Sequence, residues 1–210
     1  MKYKKRIHIA PVGFEVDRIV IPATVNKADK VYLLVHDNKT EDKAGPYIER
    51  VVKQLKDNKI ASEKVRVNWR DVESITKAAR TLILNLQGDG GPHDIFVNIS
   101  SGSKTHAIAL DRAIMTLDDQ EGITEFYAES EKYEGFKPGK QQLSIGVKDT
   151  KEIPKRNMVL PSGRLLSALV ILYDNSLKQR ATCIFPCYDE HKLRKGKHNW
   201  RSKDRTIWER

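Results

Sequence analysis

Short apolar runs alternate with longer amphipathic segments along the first 150 residues. The short runs predict strands at Arg6–Pro11, Lys30–His36, Lys64–Trp69, Asp94–Ser100, Thr124–Ala128 and Gln142–Val147. The longer segments predict helices at Phe14–Ala28, Asp42–Asn58, Asp71–Leu86 and Ser103–Leu117. Alternation of this kind is typical of parallel strands joined by crossover helices. We therefore predict an α/β fold: a Rossmann-like open, mostly parallel sheet with helices on both faces.

Individual residues refine these elements. Asp71 precedes a helical segment and is predicted to cap it, whereas Pro22 is predicted to kink or split the first helix. The run DIFVNIS at Asp94–Ser100 is apolar enough for a central strand that is buried on both faces.

The pattern changes after the predicted sheet. Residues 1–150 are predicted to form the α/β domain, Lys151–Gly163 a linker, and residues 164–210 a C-terminal segment. That segment begins with RLLSALVILY at Arg164–Tyr173, which predicts one strongly apolar helix. A basic tail without helical periodicity follows it.

Composition excludes several classes of protein. No run approaches the roughly 20 apolar residues of a membrane span, and the basic N-terminus enters a short strand rather than a signal-type apolar core. We therefore predict a cytoplasmic protein that does not associate with a membrane. The two cysteines, Cys183 and Cys187, lie close together near the end, so no disulfide framework is implied.

The tail concentrates positive charge. Residues 176–210 carry ten Lys or Arg against four Asp or Glu, which is six of the ten net positive charges of the chain. With Trp200 and Trp208, this segment is predicted either to contact DNA or RNA or to be a solvated basic end. The spacing Cys183, Cys187, His191, His198 is too short for a zinc finger with a helix between its pairs, so we predict no metal and no cofactor.

Small polar residues gather where the predicted fourth strand becomes a helix. The stretch Ser100–Lys104 reads SSGSK, and in an open α/β sheet ligands bind beyond the carboxyl ends of the strands. Amides at the helix start, the hydroxyls of nearby Ser and Thr side chains, and the Lys104 ammonium would hold an anion. The alternative is that Ser103 only caps the helix and Gly102 only makes the turn. The stretch lacks the glycine and lysine spacing of a Walker loop.

A second loop of this kind follows the first strand. APVGFEVDRI places Gly13 at the predicted strand-to-helix junction, so the two loops would face one pocket. Phe14 there would either stack on a base or pack in the core. His106 lies about 200° round its helix from Lys104, which argues against both touching one phosphate.

Two stretches, HIAPVGFEVDRI and DIFVNISSGSKTHAIAL, resemble the CRISPR-associated Rossmann-fold (CARF) domain, and the similarity covers Lys5 to Lys148. The resemblance is strongest to archaeal regulators that join this domain to a winged helix. It implies a homodimer that binds cyclic oligoadenylate, as the tetra- or hexa-adenylate, for type III CRISPR regulation. The ligand-binding residues predicted by the resemblance and by the two loops are Val12, Gly13, Phe14, Glu15, Asn98, Ser100, Ser101, Gly102, Ser103, Lys104 and Thr105.

Three functions follow from these patterns. The first is a sensor that binds the messenger and passes the signal to the C-terminal segment, to regulate transcription. The second is a metal-independent ring nuclease, in which Ser101 and Lys104 would be catalytic. The third is a generic nucleotide or nucleic-acid binder. The tail departs from the regulator pattern, because after Lys178 it shows neither a second amphipathic helix nor a β-wing. This departure suggests a truncated or diverged winged helix, so DNA binding does not follow from the resemblance.

Overall fold

The computed structural model describes residues 3–38, 40–89, 92–135, 142–156 and 167–172. The chain divides into two compact units, Met1–Met158 and Val159–Arg210. In the second unit, residues 167–172 are helical and exposed, which agrees with the apolar helix predicted there. The remainder of the predicted C-terminal segment, including Cys183, Cys187, His191 and His198, lies outside the described residues. None of the helices in the described ranges is both long and apolar enough to cross a membrane.

The first unit alternates strands with helices. Its strands are β1 (Lys5–Pro11), β2 (Lys30–His36), β3 (Ala61–Val67), β4 (His93–Asn98), β5 (Ile123–Glu129), β6 (Lys132–Tyr133), β7 (Ser144–Ile145) and β8 (Asp149–Glu152). Its helices are α1 (Asp17–Val25), α2 (Gly45–Asp57), α3 (Val72–Gly88) and α4 (Lys104–Met115).

Six strands form one sheet in the order β3-β2-β1-β4-β5-β8. Strands β1 to β5 are parallel to one another, and β8 pairs antiparallel with β5. Strand order reverses between β1 and β4, since β2 and β3 extend the sheet on one side and β5 on the other. The predicted fold class is therefore confirmed, and the carboxyl ends of β1 and β4 form its topological switch point.

The helices cover both faces of the sheet, each over its own apolar core. One core joins α3 and α4 to the sheet and includes Ile9, Ile75, Val97 and Leu110. The other core joins α1 and α2 to the opposite face and includes Ile19, Leu33, Val51 and Leu55. Burial on both faces explains why the central strands read as nearly continuous apolar runs.

The last strands differ from the prediction. Residues 142–147 were predicted to add a strand to the main sheet, but only Ser144–Ile145 are extended, and they pair with β6 in a separate two-stranded sheet. The sheet is completed instead by β8, whose sequence DTKE is fully exposed and carries no apolar signal. Since β8 includes Lys151 and Glu152, the sheet extends into the segment predicted as a linker.

Pro22 does not split the first helix, because α1 continues from Asp17 to Val25 with the proline inside it. A proline lacks the N–H that would bond to the carbonyl four residues earlier, here that of Arg18. The side chain of Asn98 replaces it: Nδ2 donates to the Arg18 carbonyl oxygen over 2.7 Å. The interrupted helical bond thus becomes a link between α1 and β4.

Candidate functional site

The loops that follow β1 and β4 touch each other at two glycines. A Cβ on Gly13 would lie 3.0 Å from both the Cα and the N of Gly102. Gly102 has φ of +80°, and a Cβ there would lie 2.9 Å from Cβ of Pro11. Any larger residue at either position would push the loops apart. The two loops that were predicted to face one pocket are therefore in direct contact.

Serine hydroxyls at the end of β4 are engaged within the protein. Ser101 is 2% exposed, and its Oγ donates to the Pro11 carbonyl oxygen over 2.6 Å. Ser100 donates from its amide to Oδ1 of Asn98 over 2.8 Å, and its hydroxyl contacts the same oxygen. These side chains, which we expected among the ligand's donors, hold the loop in shape.

The next three residues face outward. Gly102, Ser103 and Lys104 are exposed, and Thr105 is half-buried. Lys104 forms no ion pair within the described part of the chain, and there the amides of Lys104 and Thr105 have no hydrogen-bond acceptor. Free amides at the first turn of a helix, together with a free ammonium, suit an anionic oxygen.

Ser103 caps α4 in a reciprocal arrangement with His106. The His106 amide donates to Oγ of Ser103 over 3.4 Å, and the Ser103 amide donates to Nδ1 of His106 over 3.2 Å. The hydroxyl and Nδ1 are 2.8 Å apart. The capping role for Ser103 and the turn role for Gly102 are thus both present, and they hold the exposed amides in place.

The loop after β1 is more enclosed. Val12 is buried in the core, and Glu15 is 6% exposed and ion-paired with Arg18 at 2.9 Å. Phe14 is half-buried, packs on the core and has its ring centroid 5.3 Å from that of Tyr47. Core packing, which was one of the two alternatives for Phe14, is the one seen here.

The β6–β7 hairpin covers the start of α1, which the sequence did not predict. Oε1 of Gln142 accepts from the amides of Val16 and Asp17 over 3.0 and 3.1 Å. Ser144 donates from Oγ to Oε1 of Glu15 over 2.9 Å. Because these donors are already paired, the first turn of α1 offers less to an anion than the first turn of α4.

Three rings lie at the carboxyl edge of the sheet, beside residues 99–103, which join β4 to α4 and are called the α4 loop below. His36 ends β2, Trp69 follows β3, and His106 lies in the first turn of α4. The Trp69 ring centroid is 5.3 Å from that of each histidine. Burial, with a smaller contribution from the nearby His36, lowers the pKa of His106 to about 4, so its imidazole is neutral at physiological pH. As predicted, His106 points away from the exposed face of Lys104.

Within the described ranges no group of three or more His, Cys, Asp or Glu side chains is placed to hold a metal ion. The groups that the site presents are backbone amides, the Lys104 ammonium and the ring nitrogens of His106 and Trp69.

Several solved structures superpose on part of the chain. Csm6 of Enterococcus italicus, bound to cyclic hexa-2'-fluoro-hexa-dAMP, has a TM-score of 0.48 at 10% identity, over 61% of this chain and 35% of its own. Can2 of Sulfobacillus thermosulfidooxidans, in complex with cyclic tetra-adenylate, has a TM-score of 0.45 at 14% identity, over 58% of this chain and 31% of its own. A blue fluorescent protein from a metagenomic library, in complex with NADPH, has a TM-score of 0.35 at 11% identity, over 54% of this chain and 48% of its own.

Sequence comparison gives one curated relative and one family. Uncharacterized protein MJ1513 of Methanocaldococcus jannaschii is 29% identical over 133 residues, which are 62% of this chain and 40% of that protein. This chain therefore spans well under half the length of that relative. The family model described as "HFX_2341_N:-like, N-terminal" matches residues 6–133, from β1 to the end of β6. Because that match covers more than half of the chain, the protein belongs to this family.

Proposed function

We propose that this protein is a CARF-type sensor that binds a cyclic oligoadenylate across a homodimer interface. The observation that carries the proposal is the exposed first turn of α4 at the switch point, where, within the described part of the chain, the amides of Lys104 and Thr105 have no acceptor and the Lys104 ammonium forms no ion pair. A cyclic oligoadenylate is a ring of phosphodiesters, so each copy of this turn would hold one or more anionic oxygens.

The exposed face of α4 supports a dimer. Lys104 and Ile108 are four residues apart and share that face, and Ile108 is 48% exposed. If two copies of α4 pack around a two-fold axis through this face, the Lys104 side chains of both copies come to the same side of the interface. A two-fold protein site would then match a ligand of even-numbered repeat.

Binding is favoured over cleavage because of Ser101. A residue that activates or orients the ribose hydroxyl must have a donor or acceptor free for it, but the Ser101 hydroxyl already donates to the Pro11 carbonyl oxygen. Lys104 supplies a positive charge, but within the described part of the chain no general base contacts it. We therefore assign binding to this loop, with the signal passing to the basic C-terminal segment and through it to nucleic acid.

The test is calorimetric titration with cyclic tetra-adenylate and cyclic hexa-adenylate, followed by mass spectrometry of the recovered ligand. The proposal expects binding of one ring per two chains and recovery of the intact ring. Linear products would assign the ring nuclease instead. If neither ring binds, the sensor is contradicted, and a generic nucleotide or nucleic-acid binder remains as the function.

A further inference from the structure

Two buried ring nitrogens beside the α4 loop have no hydrogen-bond partner in the described part of the chain. They are Nε2 of His106 and Nε1 of Trp69. His106 is fully buried, while Trp69 is half-buried and packs against both apolar cores. Because the two cores lie on opposite faces, a ring that contacts both sits over the carboxyl edge of the sheet.

Both of these nitrogens are donors. Nδ1 of His106 accepts from the Ser103 amide, which has only a proton to give, so Nδ1 carries the lone pair. The proton of a neutral imidazole is then on Nε2. The indole nitrogen of Trp69 is always a donor. Within the described part of the chain, two buried N–H groups in contacting rings therefore lack an acceptor, and a buried donor without an acceptor destabilises the protein.

We propose that Trp69 and His106 form a nucleoside subsite beside the α4 loop, in which their N–H groups donate to an uncharged acceptor of the ligand. This inference rests on the proposed function and names two residues that the loops alone do not include. The acceptor would be an adenine ring nitrogen or a ribose oxygen, while phosphates stay with Lys104 and the α4 amides.

An uncharged acceptor fits the site better than a phosphate does. Neither ring carries charge at physiological pH, since burial keeps His106 neutral. A phosphate oxygen placed among buried rings would lose its hydration without a cation to replace it. Nucleoside atoms carry lone pairs without net charge, so two neutral donors satisfy them at lower cost.

Each of two variants removes one of the two N–H donors. His106→Asn retains an acceptor in the place of Nδ1, so the cap with Ser103 is preserved, but it has no donor in the place of Nε2. Trp69→Phe keeps an aromatic ring and loses the indole N–H. His93→Asn is the matched control, because His93 begins β4 at the opposite, amino edge of the sheet.

Each variant is titrated with the ring that the wild-type protein binds. His106→Asn and Trp69→Phe are expected to weaken binding about tenfold, as for one lost hydrogen bond, while His93→Asn binds as the wild type does. Unchanged affinity in both site variants, with binding still dependent on Lys104, would overturn the subsite and leave the proposed function intact. If the wild-type protein binds neither ring, both the subsite and the proposed function are overturned.

A spectroscopic readout excludes a merely structural role. In an amide-correlation NMR spectrum the indole signal of Trp69, identified by its disappearance in Trp69→Phe, is expected to move downfield when ligand binds, because its proton gains an acceptor. A saturated sample in which this signal does not move would contradict the subsite even if His106→Asn fails to fold.

Discussion

Asn98 donates from Nδ2 to the carbonyl oxygen of Arg18 across the interface between β4 and α1. The carbonyl is available because Pro22 supplies no N–H to it. The same amide accepts from the Ser100 amide through Oδ1. The buried Asn98 side chain therefore replaces the hydrogen bond that Pro22 cannot make and fixes the start of the α4 loop.

Replacement of Asn98 by Ala is expected to destabilise the protein. The Arg18 carbonyl and the Ser100 amide would both be left buried without a partner, at a cost of about 2–4 kcal/mol in the free energy of unfolding. Urea denaturation measures the difference. Ser100→Ala keeps the Arg18 bond and is expected to cost less, and equal losses in the two variants would contradict the account.

Gly102→Ala is expected to destabilise the protein and to displace the α4 loop. Gly102 has φ of +80°, and its Cβ would meet Cβ of Pro11 at 2.9 Å, so the strain is at least about 1–2 kcal/mol. Gly45→Ala is the matched control, because nothing lies within 4 Å of a Cβ there. Thermal unfolding distinguishes the two, and similar melting temperatures would count against the close approach of the loops.

Gln142→Ala is expected to uncap α1. The amides of Val16 and Asp17 would lose their shared acceptor, Oε1 of Gln142, and loss of a helix cap costs about 0.5–2 kcal/mol. Gln87→Ala is the control, since the Gln87 side chain donates an exposed hydrogen bond to the Asp119 carbonyl oxygen and caps no helix. The free energy of unfolding of both variants in urea checks the difference. No loss for Gln142→Ala would show that the hairpin is not needed there.

The raised pKa of the Glu125 carboxyl predicts that the stability of the protein depends on pH. Burial, with a smaller contribution from Asp111, raises the pKa of the Glu125 carboxyl from 4.5 to about 7. The folded protein therefore holds a proton that the unfolded chain releases between these values, so this group lowers stability as pH rises from about 4.5 to about 7.

Glu125→Gln removes this titration and keeps the shape of the side chain. The variant is expected to gain stability relative to the wild type as pH rises from 4.5 to 7, the interval between the two pKa values, and to gain no more above it. Denaturation curves at a series of pH values measure the gain. A difference that is constant with pH would contradict the raised pKa.

Hydrophobic periodicity predicted the elements that bury apolar side chains. The strand Lys30–His36 was predicted with its observed bounds, and Asp71 caps α3 by accepting from the Glu73 amide as expected. Both signals are local: one is a run of apolar residues and the other a single polar residue before a helix. The strand β8 has no such signal, because every residue in it is exposed and its position depends on pairing with β5.

The site was predictable only as far as the loops that form it. The sequence placed Gly13 and Gly102 at two strand ends that meet, because parallel strands share a carboxyl edge. It did not show that Ser101 bonds to Pro11, that Gln142 covers α1, or that Trp69 contacts His106. These contacts join residues far apart in the chain, and no local spacing records them.

The most direct test of the account is the affinity of the Lys104→Ala variant for the cyclic oligoadenylate that the wild-type protein binds. Lys56→Ala is the matched control, an exposed lysine in the last turn of α2, at the amino edge of the sheet where β3 begins. Loss of one charge-assisted contact to a phosphate is expected to weaken binding by about 1–3 kcal/mol, while the control binds as the wild type does. Equal affinities for Lys104→Ala and the wild type, measured by calorimetry at one salt concentration, would contradict an anion site at the first turn of α4.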